Sequence, residues 1–305
     1  MLCRIIRMLD QKYQSARKEK GPDWKKLDDF FWQIGSHDVG FISMNWDTVI
    51  ERKLALTRNI LLLDYCCDAL PASIPDPPDR NNFSTTKAFL KEVHKGQVVY
   101  VVPPQAEQKE VGKKTPIVKI HGSANWLYCD NCRQLFWFHP DQSRRIADQV
   151  IRKDDLTRIS TFLRKKGKSV EKTVADLLLQ PQVKCLCSEK VDLGTRIATF
   201  SYRKALDFPM FQKSWSAAEK LLRSADTWVF IGYSLPAADY EFKYLLKRTQ
   251  LSRKKQPEFI IVSGGNKVDV RRTYDNYHKF FGKTVNKSNF FSSGLTQDAV
   301  AAIFS

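Results

Sequence analysis

Long apolar runs are missing from this 305-residue chain. Ile60-Leu61-Leu62-Leu63 and residues 98–102 fall far short of the ~20 residues that span a bilayer, so no membrane anchor is expected. Residues 1–7 contain no continuous apolar core and no small-residue cleavage site, so they do not read as a secretory signal. Cysteine is sparse and odd in number, seven in all, with Cys66 and Cys67 adjacent. That count argues against a disulfide framework and for reduced thiols with a metal site, which makes the cytoplasm the expected compartment. Glycine is scarce before Asn45: only Gly21, Gly35 and Gly40 occur, and none sits in a G-x-G turn after a strand. Internal repeats and low-complexity tracts are absent too. With 43% hydrophobic and 12% aromatic residues, wholesale disorder is excluded.

What is abundant is positive charge. Fifty Lys and Arg stand against 33 Asp and Glu, a formal charge of +17. Such a balance favours polyanionic partners, nucleic acid or nucleotide phosphates, although a solvated basic surface accounts for it equally well. The length suits one large domain carrying a small inserted module better than two equal domains.

Hydrophobic spacing sets the organisation. Trp24, Leu27, Phe30, Phe31 and Ile34 recur at three- and four-residue intervals, predicting helix in residues 1–35, with Pro22 just inside a start and Gly35 just past an end. Residues 39–44 read as a short buried strand running into Asn45-Trp46-Asp47, followed by a helix from Thr48 to about Leu63. Residues 71–115, broken by Pro71, Pro75, Pro77 and Pro78, read as a peripheral insertion holding a helix turn and a strand within 89–102. Pro116-Ile117-Val118-Lys119-Ile120 predicts a strand ending at His121-Gly122. Residues 140–176 predict a charged helical spacer, densest at Arg164-Lys165-Lys166-Gly167-Lys168. After it, strands at 227–231 and 258–262 alternate with helices at 211–224, 239–249 and 268–281. Repeated βα units of this kind predict an α/β fold with a mostly parallel sheet covered by helices on both faces.

Chemistry concentrates at the strand ends and the cysteines. Cys129-x-x-Cys132 and Cys185-x-Cys187 form two close pairs that together match a four-thiolate zinc site, structural because no position is left for substrate. His139 is a substitute ligand. His121 is the candidate general base, since imidazole titrates near neutral pH. Asn45 and Asp47 could hold a ribose or orient a water, or else form a turn and cap a helix. Gly232-Tyr233-Ser234 could let backbone approach a phosphate, with Ser234 as donor. Asn266, in the exit turn after residue 262, is a further candidate contact by its strand-end position.

Asn45-Trp46-Asp47 with Glu51, then Lys119-Ile120-His121-Gly122-Ser123-Ala124-Asn125-Trp126, the paired cysteines, and Ile231-Gly232-Tyr233-Ser234-Leu235-Pro236 with Asp239 occur in an order that resembles the SIR2-like proteins, divergent relatives of sirtuins common in bacterial defence systems. The resemblance covers roughly residues 25–285. It implies a Rossmann-like domain made of 1–128 and 191–305, with 71–115 peripheral and 129–190 an inserted zinc-binding module. It further implies NAD as ligand, His121 and Asn45 as catalytic residues, Asp47, Gly232 and Ser234 as cofactor contacts, and cleavage of the nicotinamide–ribose bond by a defence effector. The chain departs from the family in lacking the first βα unit and its phosphate-cradling glycine loop. Two alternatives follow: a catalytically impaired scaffold that binds nucleic acid or a protein sensor, and an NAD-dependent protein deacylase. Oligomeric state is not legible.

Overall fold

Proline at a helix start, short polar caps and β-branched runs set the element boundaries. The computed structural model describes residues 2–19, 21–57, 63–72, 98–100, 114–142, 146, 182–185, 187, 193–195 and 209–305. Its helices are α1 (Leu2–Glu19), α2 (Pro22–Gln33), α3 (Val49–Thr57), α4 (Pro209–Ser224), α5 (Tyr240–Ser252), α6 (Lys267–Phe281) and α7 (Gln297–Phe304). The strands are β1 (Phe41–Ser43), β2 (Leu63–Asp64), β3 (Leu70–Ala72), β4 (Val98–Tyr100), β5 (Thr115–Lys119), β6 (Trp126–Tyr128), β7 (Leu135–Phe138), β8 (Gln182–Lys184), β9 (Thr227–Ile231), β10 (Glu258–Val262) and β11 (Phe290–Phe291).

This is a mixed α/β protein with parallel pairing throughout much of its sheet structure. β2–β5, β3–β7, β4–β8, β9–β10 and β10–β11 run parallel, and β6–β7 antiparallel. Among the described residues the strands form separate small sheets, ordered β1-β5-β2, β3-β7-β6, β4-β8 and β9-β10-β11, rather than one continuous sheet. Of the helix expected from Thr48 to about Leu63, α3 covers Val49–Thr57 and residues 58–62 lie outside the described residues, while Leu63 is in β2 and pairs with Thr115. Gly35 lies within a 3-10 turn, Ile34–Ser36, after α2 has ended. The charged spacer expected at 140–176 lies, beyond Gln142 and Ile146, outside the described residues, as does most of 71–115.

The chain divides into two compact units. Unit 1 comprises Met1–Ser15 and Ile42–Gln212; unit 2 comprises Ala16–Phe41 and Lys213–Ser305. Within unit 1, the segment after Tyr128 is tied to the strands before it. Tyr128 and Gly194 exchange backbone hydrogen bonds of 2.7 and 2.9 Å. Leu127, Phe136, Phe138, Ile146 and Leu193 share one core with Cys129 and Cys185.

Unit 2 is built on the register β9–β10–β11. Trp228 faces Phe259 across the pair, their rings 5.7 Å apart, and Phe230, Tyr277 and Phe281 complete an aromatic layer under α6. On the opposite face Ile260 and Val262 pack with Ala299, with Val229, Phe291 and Ile303 beside them, so α7 covers that side. The alternation of a two-residue period across β10 places these two sets on opposite faces.

Candidate catalytic loop and metal centre

In unit 1 the strand-to-helix loop after β1 is fastened by β5 and its exit turn. Ile120 N donates to Ser43 O (3.1 Å) and Ala124 N to Trp46 O (2.8 Å). His121 Nδ1 lies 3.2 Å from Met44 O, and Lys119 Nζ donates to Asp47 O at 2.5 Å. Within the loop, Ser43 Oγ donates to Asn45 O and accepts from Asn45 N, both at 3.2 Å. Asn45 is thereby presented as the exposed residue of a half-buried, doubly anchored loop beside a half-buried His121. A carbonyl can only accept, so Nδ1 carries the hydrogen and Nε2 is the basic nitrogen of the neutral ring. Gly122, buried with φ 85°, makes the turn that a side chain would strain.

Asp47 also works as a cap, its Oδ1 accepting from Val49 N at 3.1 Å at the start of α3. Beside it lies a small cavity of about 20 Å³, lined in part by Ile6, Leu9 and Asp10 of α1 and by Asp47, Thr48 and Arg52. Arg52, 5% exposed, donates to Thr48 Oγ1, Asp10 Oδ1 (2.7 Å) and Pro140 O (2.6 Å), and stacks over Tyr13.

Beneath the loop is a buried polar layer that the sequence did not reveal. Lys119 and Glu51, both 0% exposed, pair at 3.3 Å. Tyr65 Oη donates to Glu51 Oε1 (3.4 Å) and accepts from Asn125 Nδ2 (3.1 Å), which also donates to Phe138 O (2.7 Å). Burial raises the Glu51 carboxyl above its ordinary range, and Lys119 opposes that shift. Tyr65 is pushed up by burial and by the Glu51 charge. Lysine in a strand ordinarily reads as a surface residue, so only its fixed offset of two from His121 could have drawn notice.

The second cluster joins the two cysteine pairs. The sulfurs of Cys129, Cys132, Cys185 and Cys187 all lie within 4.8 Å of one another. Cys129 Sγ is 3.4 Å from Cys187 Sγ, and Cys132 Sγ is 3.6 Å from Cys185 Sγ. A disulfide needs about 2.05 Å. Sulfurs at tetrahedral corners around zinc, with bonds of about 2.3 Å, stand roughly 3.8 Å apart. The donor set and spacing therefore fit a metal ion. Cys129 directly follows β6 and leads a turn closed by Cys129 N to Gln134 O (2.9 Å), while β8 runs directly into Cys185. Burial raises the Cys129 and Cys185 thiols, whereas Asn131, donating to Cys187 Sγ, lowers Cys187 to about 6. His139 is engaged elsewhere, with Nδ1 3.6 Å from Asp141.

The remaining candidates lie in unit 2. Gly232, φ 66°, turns the chain after β9 while its N–H bonds Val262 O at 2.9 Å. The turn is held from α6: Tyr277 Oη donates to Tyr233 O (2.8 Å) and Asn276 Nδ2 to Ser234 O (2.9 Å). Tyr233 Oη donates to Asp239 Oδ2 (3.0 Å), and burial plus that carboxylate push the phenol up. Asn276 and Tyr277 are turn-holding residues the sequence did not suggest, lying more than 40 positions from their partners. Asn266 is the N-cap of α6, accepting from Asp269 N at 2.9 Å and donating to Asp269 Oδ2 at 2.8 Å. Both polar ends of its amide thus serve the helix start.

No helix among the described residues is long and apolar enough to cross a membrane. Compared with known protein families, functionally described proteins and solved structures, the chain matches none.

Proposed function

We propose that this chain is a SIR2-like NAD glycohydrolase, cleaving NAD to nicotinamide and ADP-ribose, with a structural zinc ion in the four-cysteine centre. The observation that carries the reading is the fastening of the Asn45 loop to His121 through the Met44 carbonyl. Loss of nicotinamide leaves oxocarbenium character on the ribose, and an imidazole with a basic Nε2 can take a proton from a ribose hydroxyl or from the attacking water. Asn45, exposed on its anchored loop, would orient that water. Asp47 keeps one carboxylate oxygen on α3 and has the other for a ribose hydroxyl. Within unit 2, Gly232 and Ser234 on the turn that α6 holds, and Asn266 at the next strand end, are the candidate phosphate-contacting groups. The cysteines would hold zinc with every position filled by protein, which supplies folding energy and no Lewis acid to the reaction.

Mass-spectrometric detection of nicotinamide and ADP-ribose from NAD, with His121→Ala as control, tests the reading. The expected result is product from the wild type and a loss of about 10²–10⁴-fold in the variant with its fold intact. Turnover only in the presence of an acyl-lysine peptide would replace it with a deacylase. The +17 charge favours a second reading, a scaffold that binds nucleic acid. In that case affinity falls steeply with salt and is indifferent to His121→Ala.

A further inference from the structure

We propose that Lys119 is a positioning residue: its buried ammonium fastens the Asp47 carbonyl and so fixes Asn45 and Asp47 against His121, with Glu51 as the counter-charge. The inference rests on the NAD reading for its catalytic consequence and on the loop geometry alone for its structural one.

The bonds that tie the loop to β5 come from Ile120 N, His121 Nδ1, Ala124 N and Lys119 Nζ. Two of these are backbone, and His121 is the candidate base. Lys119 adds a charged side chain at the loop's far end, where the chain passes from Asp47 into α3. It is the last residue of β5, two before His121, so the strand carries the anchor and its exit turn the base. The ammonium donates to the Asp47 carbonyl from a side chain with no solvent access, and a hydrogen bond from a charged donor is stronger than one from a neutral donor. Glu51, 3.3 Å from Nζ, balances the ammonium. The carboxylate is held by Tyr65 through Oε1, and its Oε2 has no hydrogen-bond partner among the described residues. Lysine's charge is thus what answers Glu51, and Glu51 in turn keeps the ammonium beneath the loop.

A buried ion pair could instead serve only to hold the fold together. Replacing both charges separates the roles, because swapping a buried pair for neutral groups often leaves stability intact, whereas removing one partner does not. The variants are Lys119→Met, Glu51→Gln and the double change, which keeps an acceptor for Tyr65. Readouts are melting temperature, NAD kinetics, and amide exchange of residues 44–49 relative to β5.

Lys119→Met should melt earlier than wild type. The double variant should recover most of that loss, yet its kcat should stay down about 10²-fold with KM within about threefold. Exchange of 44–49 should rise about tenfold in the double variant, while β5 stays protected. Recovery of kcat together with melting temperature would assign the pair a purely structural role and overturn the proposal. Should the double variant not fold, Glu51→Gln carries the test, since it retains Lys119 on the loop. Its melting temperature should fall while 44–49 stay protected, and loss of that protection overturns the proposal. If the wild type releases no nicotinamide, the NAD reading fails, and exchange at 44–49 still decides the role of Lys119.

Discussion

Each unit sends a strand into a glycine turn of positive φ, at Gly122 after β5 and at Gly232 after β9. The two turns are backed by different chemistry. Under the first lie a lysine and a glutamate with no solvent access, a tyrosine and an asparagine. Under the second a tyrosine hydroxyl and an asparagine amide hold two carbonyls, above a layer of packed aromatic rings. Neutral donors to carbonyls contribute about 0.5–1.5 kcal/mol each and can be lost one at a time. A buried ion pair behaves otherwise: loss of one partner leaves an unanswered charge and costs about 3–5 kcal/mol. The first turn is therefore held harder and fails more abruptly than the second.

Metal removal should break this comparison most completely. If the cysteines hold zinc, about 10–16 kcal/mol of apparent binding energy is coupled to folding around β6 and β7. Chelation, or Cys129→Ser, should release one zinc per chain and open 126–138 to amide exchange, while β9 and β10 stay protected. Retained protection of 126–138 after metal loss would show that the hydrophobic core there stands alone.

Tyr277→Phe sharpens the contrast from the other side. It keeps the ring and removes the hydrogen bond to Tyr233 O, so unit 2 should lose about 1 kcal/mol in denaturant unfolding, equally at every pH from 5 to 8. A loss above about 3 kcal/mol would mean that the second turn is as brittle as the first.

The smallest effect expected is one of pH. Burial raises the folded Glu51 carboxyl above its unfolded value, so the native state binds more protons than the unfolded chain between the two. Stability from this group is fully present below the unfolded pKa and is lost as pH rises through the folded one. Unfolding of unit 1 followed by denaturant titration should show this decline from about pH 4.5 upward. Glu51→Gln, whose amide does not titrate, should lack that slope. A slope persisting in the variant would assign it to another group.

Legibility in the sequence followed how rare a residue's role is. Two close thiol pairs have few uses in a chain of seven cysteines, and the four sulfurs do converge. A histidine before glycine at the end of a β-branched run can scarcely be anything but a strand exit, and Gly122 has the positive φ that such an exit needs. Asp47 and Asn266 read equally as ligand contacts or helix caps, and both make cap bonds. Lys119 stayed hidden because lysine is ordinarily solvated, and Leu63 because its apolar neighbours also fit a helix.

From the order of its side chains alone, the protein determined its alternation of strands and helices, its glycine turns and its four-thiolate donor set. These depend on local backbone preference and residue chemistry, which act over a few positions. Tertiary structure alone decided which carbonyl meets Lys119, that Glu51 answers its charge, that Tyr277 and Asn276 reach the turn after β9, and where the two compact units divide. Those outcomes depend on burial, and burial is a property of the packed chain: a lysine commits its charge to one carbonyl and one carboxylate only after water has been excluded from both.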